Sequence, residues 1–366
     1  MDGDRERLFL FWLCQIPGIG AVTIRKLLEE FKSFEQIYNI EGKLLTERGL
    51  LKEKAANGFD SGKKKLDWCQ RQLDLLEKES IRFVMPSDEE YPKRLLKIYD
   101  FPMGLFVKGR FPEEDHPTAA IIGARGCTNY GRQAAEWMAR ELSKSGVQII
   151  GGLAIGIDSA GHRGALEAGG RTFAVLGCGL HTCYPRENYQ LYTRIGQEGG
   201  LLSEYLPDEP PLAGNFPVRN RIISGLSDVV LVMEARQKSG SLITAGLALE
   251  QGKEIFALPG RLSDPLSEGC NRLIQEGAAV LLSPEDVLEY FTLKNGKILK
   301  VHEKNKNGLA KKEKMVYSCL DLQPKSLEEI VNLSGLSVSE CMSVLLDLEL
   351  SGHIVQTSYQ YYGKRL

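Results

Sequence analysis

Residues 147–158 read Val-Gln-Ile-Ile-Gly-Gly-Leu-Ala-Ile-Gly-Ile-Asp, and residues 118–126 read Thr-Ala-Ala-Ile-Ile-Gly-Ala-Arg-Gly. In both, a short apolar run ends in glycine and gives way to a segment with helical spacing. An apolar run that does not alternate with polar residues is a strand buried on both faces, the kind found in parallel sheets covered by helices. The unit recurs at Thr172 to Leu176, Leu201 to Ser203, Val229 to Met233, Ile255 to Leu258 and Ala278 to Leu282. Helical patterns such as Tyr130 to Ser145 and Ser241 to Gln251 separate most of these runs. Alternation of this kind from Thr118 to about Phe291 predicts a doubly wound, mostly parallel α/β sheet of extended Rossmann-like type, assigned to residues 118–292.

Before the sheet, residues 1–75 read as short helices. The apolar stretch Leu8 to Leu13 runs into Pro17-Gly18-Ile19-Gly20 and then a helical pattern from Ala21 to Phe31. Hydrophobic-Pro-Gly-Ile-Gly before a helix is the pattern of a helix-hairpin-helix, where a glycine turn lets backbone N–H groups approach a DNA phosphate. A weaker echo surrounds Gly49, and a plain helical bundle with tight turns accounts for both stretches equally well. Residues 76–117 are read as a connecting segment with two short strands, Ile81 to Val84 and Leu105 to Gly109, and a helix near Tyr91 to Leu95.

After the sheet, residues 293–314 hold eight lysines, two glutamates and no aromatic residue, the composition of a solvated linker within reach of DNA. Residues 315–366 then give three helical patterns and a strand pair, a winged helix-turn-helix. Its expected recognition helix, Ser337 to Leu350, carries Glu340, Asp347 and Glu349 but no Lys, Arg or His. A DNA major groove repels such a helix, so a protein contact or a structural role is the better expectation.

Composition narrows the classes further. The 366 residues are 43% hydrophobic and 26% charged, as expected of two or three folded units. The longest apolar run, Leu8 to Cys14, has seven residues, against about 20 needed to span a bilayer, so no membrane role is expected. Asp2, Asp4 and Glu6 stand where a secretory signal needs basic residues. The eight cysteines include no Cys-x-x-Cys pair, and no histidine lies at finger spacing, so neither zinc nor any other metal or cofactor is expected. Buried, reduced thiols in a cytoplasmic protein are the reading. Net charge is −2, so an anion site must be a local concentration of charge.

Open parallel sheets bind ligands outside the carboxyl ends of their strands. The loops there are Gly123-Ala124-Arg125-Gly126, Gly151 to Asp158, Gly177-Cys178-Gly179 and Lys238-Ser239-Gly240-Ser241. Each leads towards a helix N-terminus, where free backbone N–H groups and the positive dipole end favour anions. Arg125, Arg186, Arg219, Arg221 and Lys238 are expected on the same rim, a setting for a polyphosphate. A dinucleotide is disfavoured because the first loop lacks G-x-G-x-x-G and the second strand ends in Gly151-Gly152 without an acid. A P-loop is excluded because G-x-x-x-x-G-K-[ST] does not occur.

The run from Gly123 to Asn129, Gly151 to His162, Val175 to Gly179 and Tyr184-Pro-Arg-Glu-Asn188 closely resemble the DprA (Smf) family of DNA-processing proteins. Leu202-Ser-Glu-Tyr205, Phe216-Pro-Val-Arg-Asn-Arg-Ile-Ile223, Ser239 to Ala245 and Ala257-Leu-Pro-Gly260 do so too. The resemblance covers residues 118–291, with an N-terminal SAM or helix-hairpin-helix-like domain and a C-terminal winged helix laid out as in longer members. It implies a non-enzymatic, homodimeric protein that binds single-stranded DNA and loads RecA recombinase onto it in natural transformation, in competition with single-strand binding protein. The implied DNA-binding set is Gly123, Arg125, Gly126, Gly152, Gly156, Gly177, Gly179, Arg186, Asn188, Phe216, Arg219, Asn220, Arg221, Lys238, Ser239, Gly240 and Ser241. In the first loop Ala124 replaces the family's serine, losing a hydroxyl, and Arg186 replaces a lysine, keeping the charge and gaining a forked donor. Tyr130, Tyr184, Tyr189 and Phe216 are the candidates for stacking unpaired bases, although core packing is the commoner role for any one of them.

A rival enzymatic reading starts from Asp158 and His162, one helical turn apart, and from the strand-end carboxylates Glu204 and Glu234. Its form is a nucleotide hydrolase similar to the cytokinin-activating phosphoribohydrolases. Their Pro-Gly-Gly-x-Gly-Thr-x-x-Glu signature is matched poorly by Lys238 to Thr244. Asp158 is expected instead to cap its helix, with His162 packed beside it.

Overall fold

The computed structural model describes residues 2–295, 311–321 and 324–364. Six helices come first: α1 (Asp2–Cys14), α2 (Ala21–Phe31), α3 (Phe34–Asn39), α4 (Gly42–Glu47), α5 (Glu53–Gly62) and α6 (Leu66–Lys78). The Pro17–Gly20 turn joins α1 to α2, with Gly18 at φ 87° and the Ile19 N–H donating to Ile16 O at 3.1 Å. Phe9, Trp12 and Phe59 sink into the centre of this bundle.

Two strands follow, β1 (Ile81–Val84) and β2 (Leu105–Gly109), with a 3-10 turn at Leu95–Lys97 between them. They are the strands expected in the connecting segment. β2 pairs antiparallel with a strand of the main sheet, so the segment extends that sheet. Phe83 of β1 and Phe106 of β2 meet the ring of Phe11 at 5.3 and 6.0 Å between centroids. The helical bundle and this edge of the sheet therefore bury a single continuous core.

The sheet region alternates β3 (Thr118–Ile122), α7 (Asn129–Lys144), β4 (Gln148–Gly151), α8 (Ile157–Glu167), β5 (Thr172–Leu176), α9 (Tyr189–Glu198) and β6 (Gly200–Ser203). It continues through α10 (Asn215–Leu226), β7 (Val229–Val232), α11 (Gly240–Glu250), β8 (Glu254–Ala257), α12 (Glu268–Gln275), β9 (Ala279–Val280) and α13 (Pro284–Asn295). The strand order is β1-β2-β6-β5-β4-β3-β7-β8-β9, with every pairing from β6 to β9 parallel. β3, β4, β5, β6 and β7 are buried along their whole length, as expected of strands covered on both faces.

The lysine-rich stretch 293–314 lies mostly outside the described residues, and its described ends belong to α13 and α14 (Lys311–Cys319). The last region adds β10 (Lys325–Ser326), α15 (Leu327–Ser334), α16 (Val338–Leu350), β11 (Ile354–Ser358) and β12 (Tyr361–Lys364). Ser326 with Glu329, and Ser337 with Glu340, form capping boxes that start α15 and α16. Val316, Ile330, Leu345 and Leu348 lie in a separate small core. Among the described residues no single helix is long and apolar enough to cross a membrane.

Candidate nucleic-acid interface

Strand order reverses between β3 and β7, which are neighbours, and a crevice opens outside their carboxyl ends. A cavity of about 610 Å³ occupies it. Gly123 to Gly126 follow β3 along one wall, while Arg236 and Ser239 to Ser241 follow β7 along another. Tyr184, Asp158 of α8, and Phe216, Arg219 and Asn220 of α10 also line it.

The Phe216 ring organises this surface. Tyr184 tilts against it at 5.5 Å between centroids, and the guanidinium carbons of Arg125 and Arg219 lie 5.6 and 5.9 Å from its centre. Gly177 makes room for it, since a Cβ there would stand 2.7 Å from Phe216 Cδ1. Tyr184 is 39% exposed, Tyr130 43% and Tyr189 64%, so none of the three is consumed by core packing.

The five expected cations divide. Arg125, Arg186 and Lys238 are exposed; Arg125 lines the cavity, while the other two follow or precede lining residues in the chain. Arg219 lines the cavity but is 95% buried by its own loops (5% exposed), donating to Gly152 O at 3.0 Å and to Val175 O. It is a brace beneath the aromatic ring. Arg221 departs further from expectation: its buried guanidinium pairs with Asp100 at 3.0 Å and Glu204 at 2.7 Å. A phosphate would have to displace both carboxylates to reach it. Arg236, exposed on the lining, was missed by the sequence reading although it stands two residues past the β7 strand-end Glu234.

The glycines divide in the same way. Gly152 lies against the Arg219 guanidinium, and Gly179 against the carbonyls of Leu206 and Pro207. Gly156, at φ 84°, lies against the carbonyls of Ala124 and Arg125. At these four, Gly177 included, the neighbouring atoms leave no room for a side chain, so close packing alone requires glycine. Gly126 and Gly240 face open space at the cavity, where a ligand can reach their N–H groups. Ser239 caps α11 by accepting from the Ser241 N–H at 3.2 Å. Asn188 is buried, and its side-chain amide donates to Leu153 O at 2.9 Å and holds the loop before α8.

The carboxylates of the enzymatic reading are occupied. Glu204 binds Arg221, and Glu234 accepts from the N–H of Thr128 at 2.8 Å and from its hydroxyl at the start of α7. Gly156, and not Asp158, occupies the cap of α8. Asp158 accepts from the Gly152 N–H at 2.8 Å, with burial pushing its pKa up and Arg219 opposing the shift. His162 Nδ1 lies 2.6 Å from Thr172 Oγ1, whose hydroxyl is spent on Ile149 O, so Nδ1 carries the proton. Its Nε2 is buried without a partner, and burial pulls the ring's pKa down to about 3.

A family model described as DNA recombination-mediator protein A matches residues 82–292, and a DprA winged helix domain model matches residues 302–358. DNA processing protein DprA of Streptococcus pneumoniae is 47% identical over 204 residues, 56% of this chain and 72% of the relative. Protein Smf of Escherichia coli is 36% identical over 333 residues, 89% of this chain and 88% of its own. The crystal structure of the Streptococcus pneumoniae DprA superposes with a TM-score of 0.67 at 38% identity, covering 77% of this chain and 97% of that one. DprA of Helicobacter pylori, whose structure addresses its single-stranded DNA binding mode, gives 0.53 at 35% identity over 58% and 96%. With its sheet region and its winged helix both matched in order, the chain belongs to the DNA recombination-mediator protein A (DprA) family.

Proposed function

We propose that this chain binds single-stranded DNA across the β3/β7 crevice and acts by holding the strand, with no covalent chemistry of its own. Arg125, Arg236, Lys238 and Arg186 take phosphates, assisted by the N–H groups of Gly126 and Gly240. An unstacked base lies against Phe216 and Tyr184, worth about 1–3 kcal/mol. The observation that carries this reading is the pair of exposed arginines, Arg125 and Arg236, on a cavity lined by Phe216 and Tyr184. The single-stranded DNA binding of the Helicobacter pylori relative supports it. Delivery of the strand to RecA, in competition with single-strand binding protein and as a homodimer during transformation in the cytoplasm, is the role proposed from the family resemblance.

A gel shift with one oligonucleotide in single- and double-stranded form tests the binding. Wild type should favour the single strand, and Arg125→Ala should lose about tenfold or more, the worth of one charge-assisted contact. Equal affinity for duplex and single strand defeats the proposal.

A further inference from the structure

The helix that reads DNA in other winged helices is α16, and here it is apolar on two faces. Cys341, Val344, Leu345 and Leu348 point into the small core. On the other side Val338, Met342, Leu346 and Leu350 follow one another at four-residue intervals and are 54%, 49%, 56% and 78% exposed. At about 100° per residue these positions drift about 40° per step, so they form one slowly turning stripe along the helix. Four exposed apolar side chains in a row on so small a domain are costly to leave in water and mark an interaction surface.

Charge decides what covers it. α16 holds Glu340, Asp347 and Glu349 and no basic residue. Glu340 is tied to Lys312 at 2.8 Å, which leaves Asp347 and Glu349 beside the C-terminal half of the stripe. Nucleic acid is repelled by such a border and gains nothing from the leucines. A second copy packed face to face about a two-fold axis brings acidic borders together, with no cation on either helix to offset them. The complement is a helix with apolar anchors at the same spacing and Lys or Arg along its edges.

We propose that the outer face of α16, centred on Met342 and Leu346, docks a basic amphipathic helix of another protein. The surface uses none of the residues assigned to DNA. The winged helix is thus an adaptor that brings a partner to the chain while the sheet holds the strand.

The test uses the full chain and a fluorescein-labelled synthetic helix of about 18 residues, five turns, with Leu at four-residue spacing and Lys on both flanks. Two further peptides serve as probes: one with the same residues in scrambled order, and one with Glu replacing Lys. Fluorescence polarisation should show binding of the ordered basic helix only. The double variant Met342→Ser, Leu346→Ser should lose about tenfold or more, in line with loss of central anchors. A second variant, Asp347→Lys with Glu349→Lys, should shift preference to the Glu-flanked helix, and both variants should keep wild-type helix content and single-strand affinity. Equal binding of the scrambled peptide, or unchanged affinity in both variants, overturns the proposal. So does a stripe variant that weakens duplex DNA binding, or one that abolishes self-association in sedimentation, since those results assign the face to DNA or to a second copy.

Discussion

Arg219 and Arg221 sit two residues apart and both are buried, yet one braces the cavity and the other lies in an ion pair outside it. Their charge was legible in the sequence; their partners were not, because the Gly152 and Val175 carbonyls that hold Arg219 and the Asp100 and Glu204 carboxylates that hold Arg221 arrive from other elements of the fold. Arg221→Ala leaves Glu204 and Asp100 without their cation, at a cost of about 3–5 kcal/mol. A urea midpoint well below that of wild type checks this, and Arg125→Ala, at an exposed position, should leave the midpoint in place. His162 gives a pH signature of the fold. Its pKa is lowered from 6.5 to about 3 in the folded chain, so the unfolded state binds the extra proton first. Stability is therefore lost as pH falls below about 6.5, by up to about 1.4 kcal/mol per pH unit from this one group. His162→Gln should flatten the decline between pH 6.5 and 4 in urea melts taken at a series of pH values.

At the scale of elements, the sequence was read best where periodicity is strong. β3, β5 and α7 fall within a residue of the expected runs, because continuous apolar strands leave few alternatives. The glycine loops were located correctly, but which glycines are held against neighbouring atoms was not legible. A glycine that faces a ligand and a glycine that faces a neighbouring carbonyl look the same in sequence, and only the packing of α10 and the β4–α8 loop separates them. Gly177→Ala tests that distinction: its new Cβ drives Phe216 out of place. The variant should lose about 1–3 kcal/mol of stability through overpacking, and its single-strand affinity should fall with it. A variant that melts earlier yet binds as tightly as wild type would show that the ring does not hold a base. The place of β1 and β2 was not legible either, because their attachment depends on β2 finding β6, nearly a hundred residues on.

Across the whole molecule a net charge of −2 leaves the proposed anion site to a local set of cations. With Arg219 and Arg221 withdrawn and Arg236 added, four exposed cations remain for phosphates. At about 0.7 per contact on a single strand, the log–log salt slope should be near −3 per protomer. Deleting residues 315–366 should leave both the slope and the affinity near wild type, because the cavity draws nothing from them. A slope near zero, or loss of binding on truncation, places the strand elsewhere. The order of strands has one more consequence. Between β6 and β7 the chain crosses over β5, β4 and β3, so the loop after β3 and the loop after β7 lie on opposite sides of the largely exposed stretch 207–214. A gene divided at that stretch would encode two halves, each inert by itself, that regain DNA binding only on reassembly.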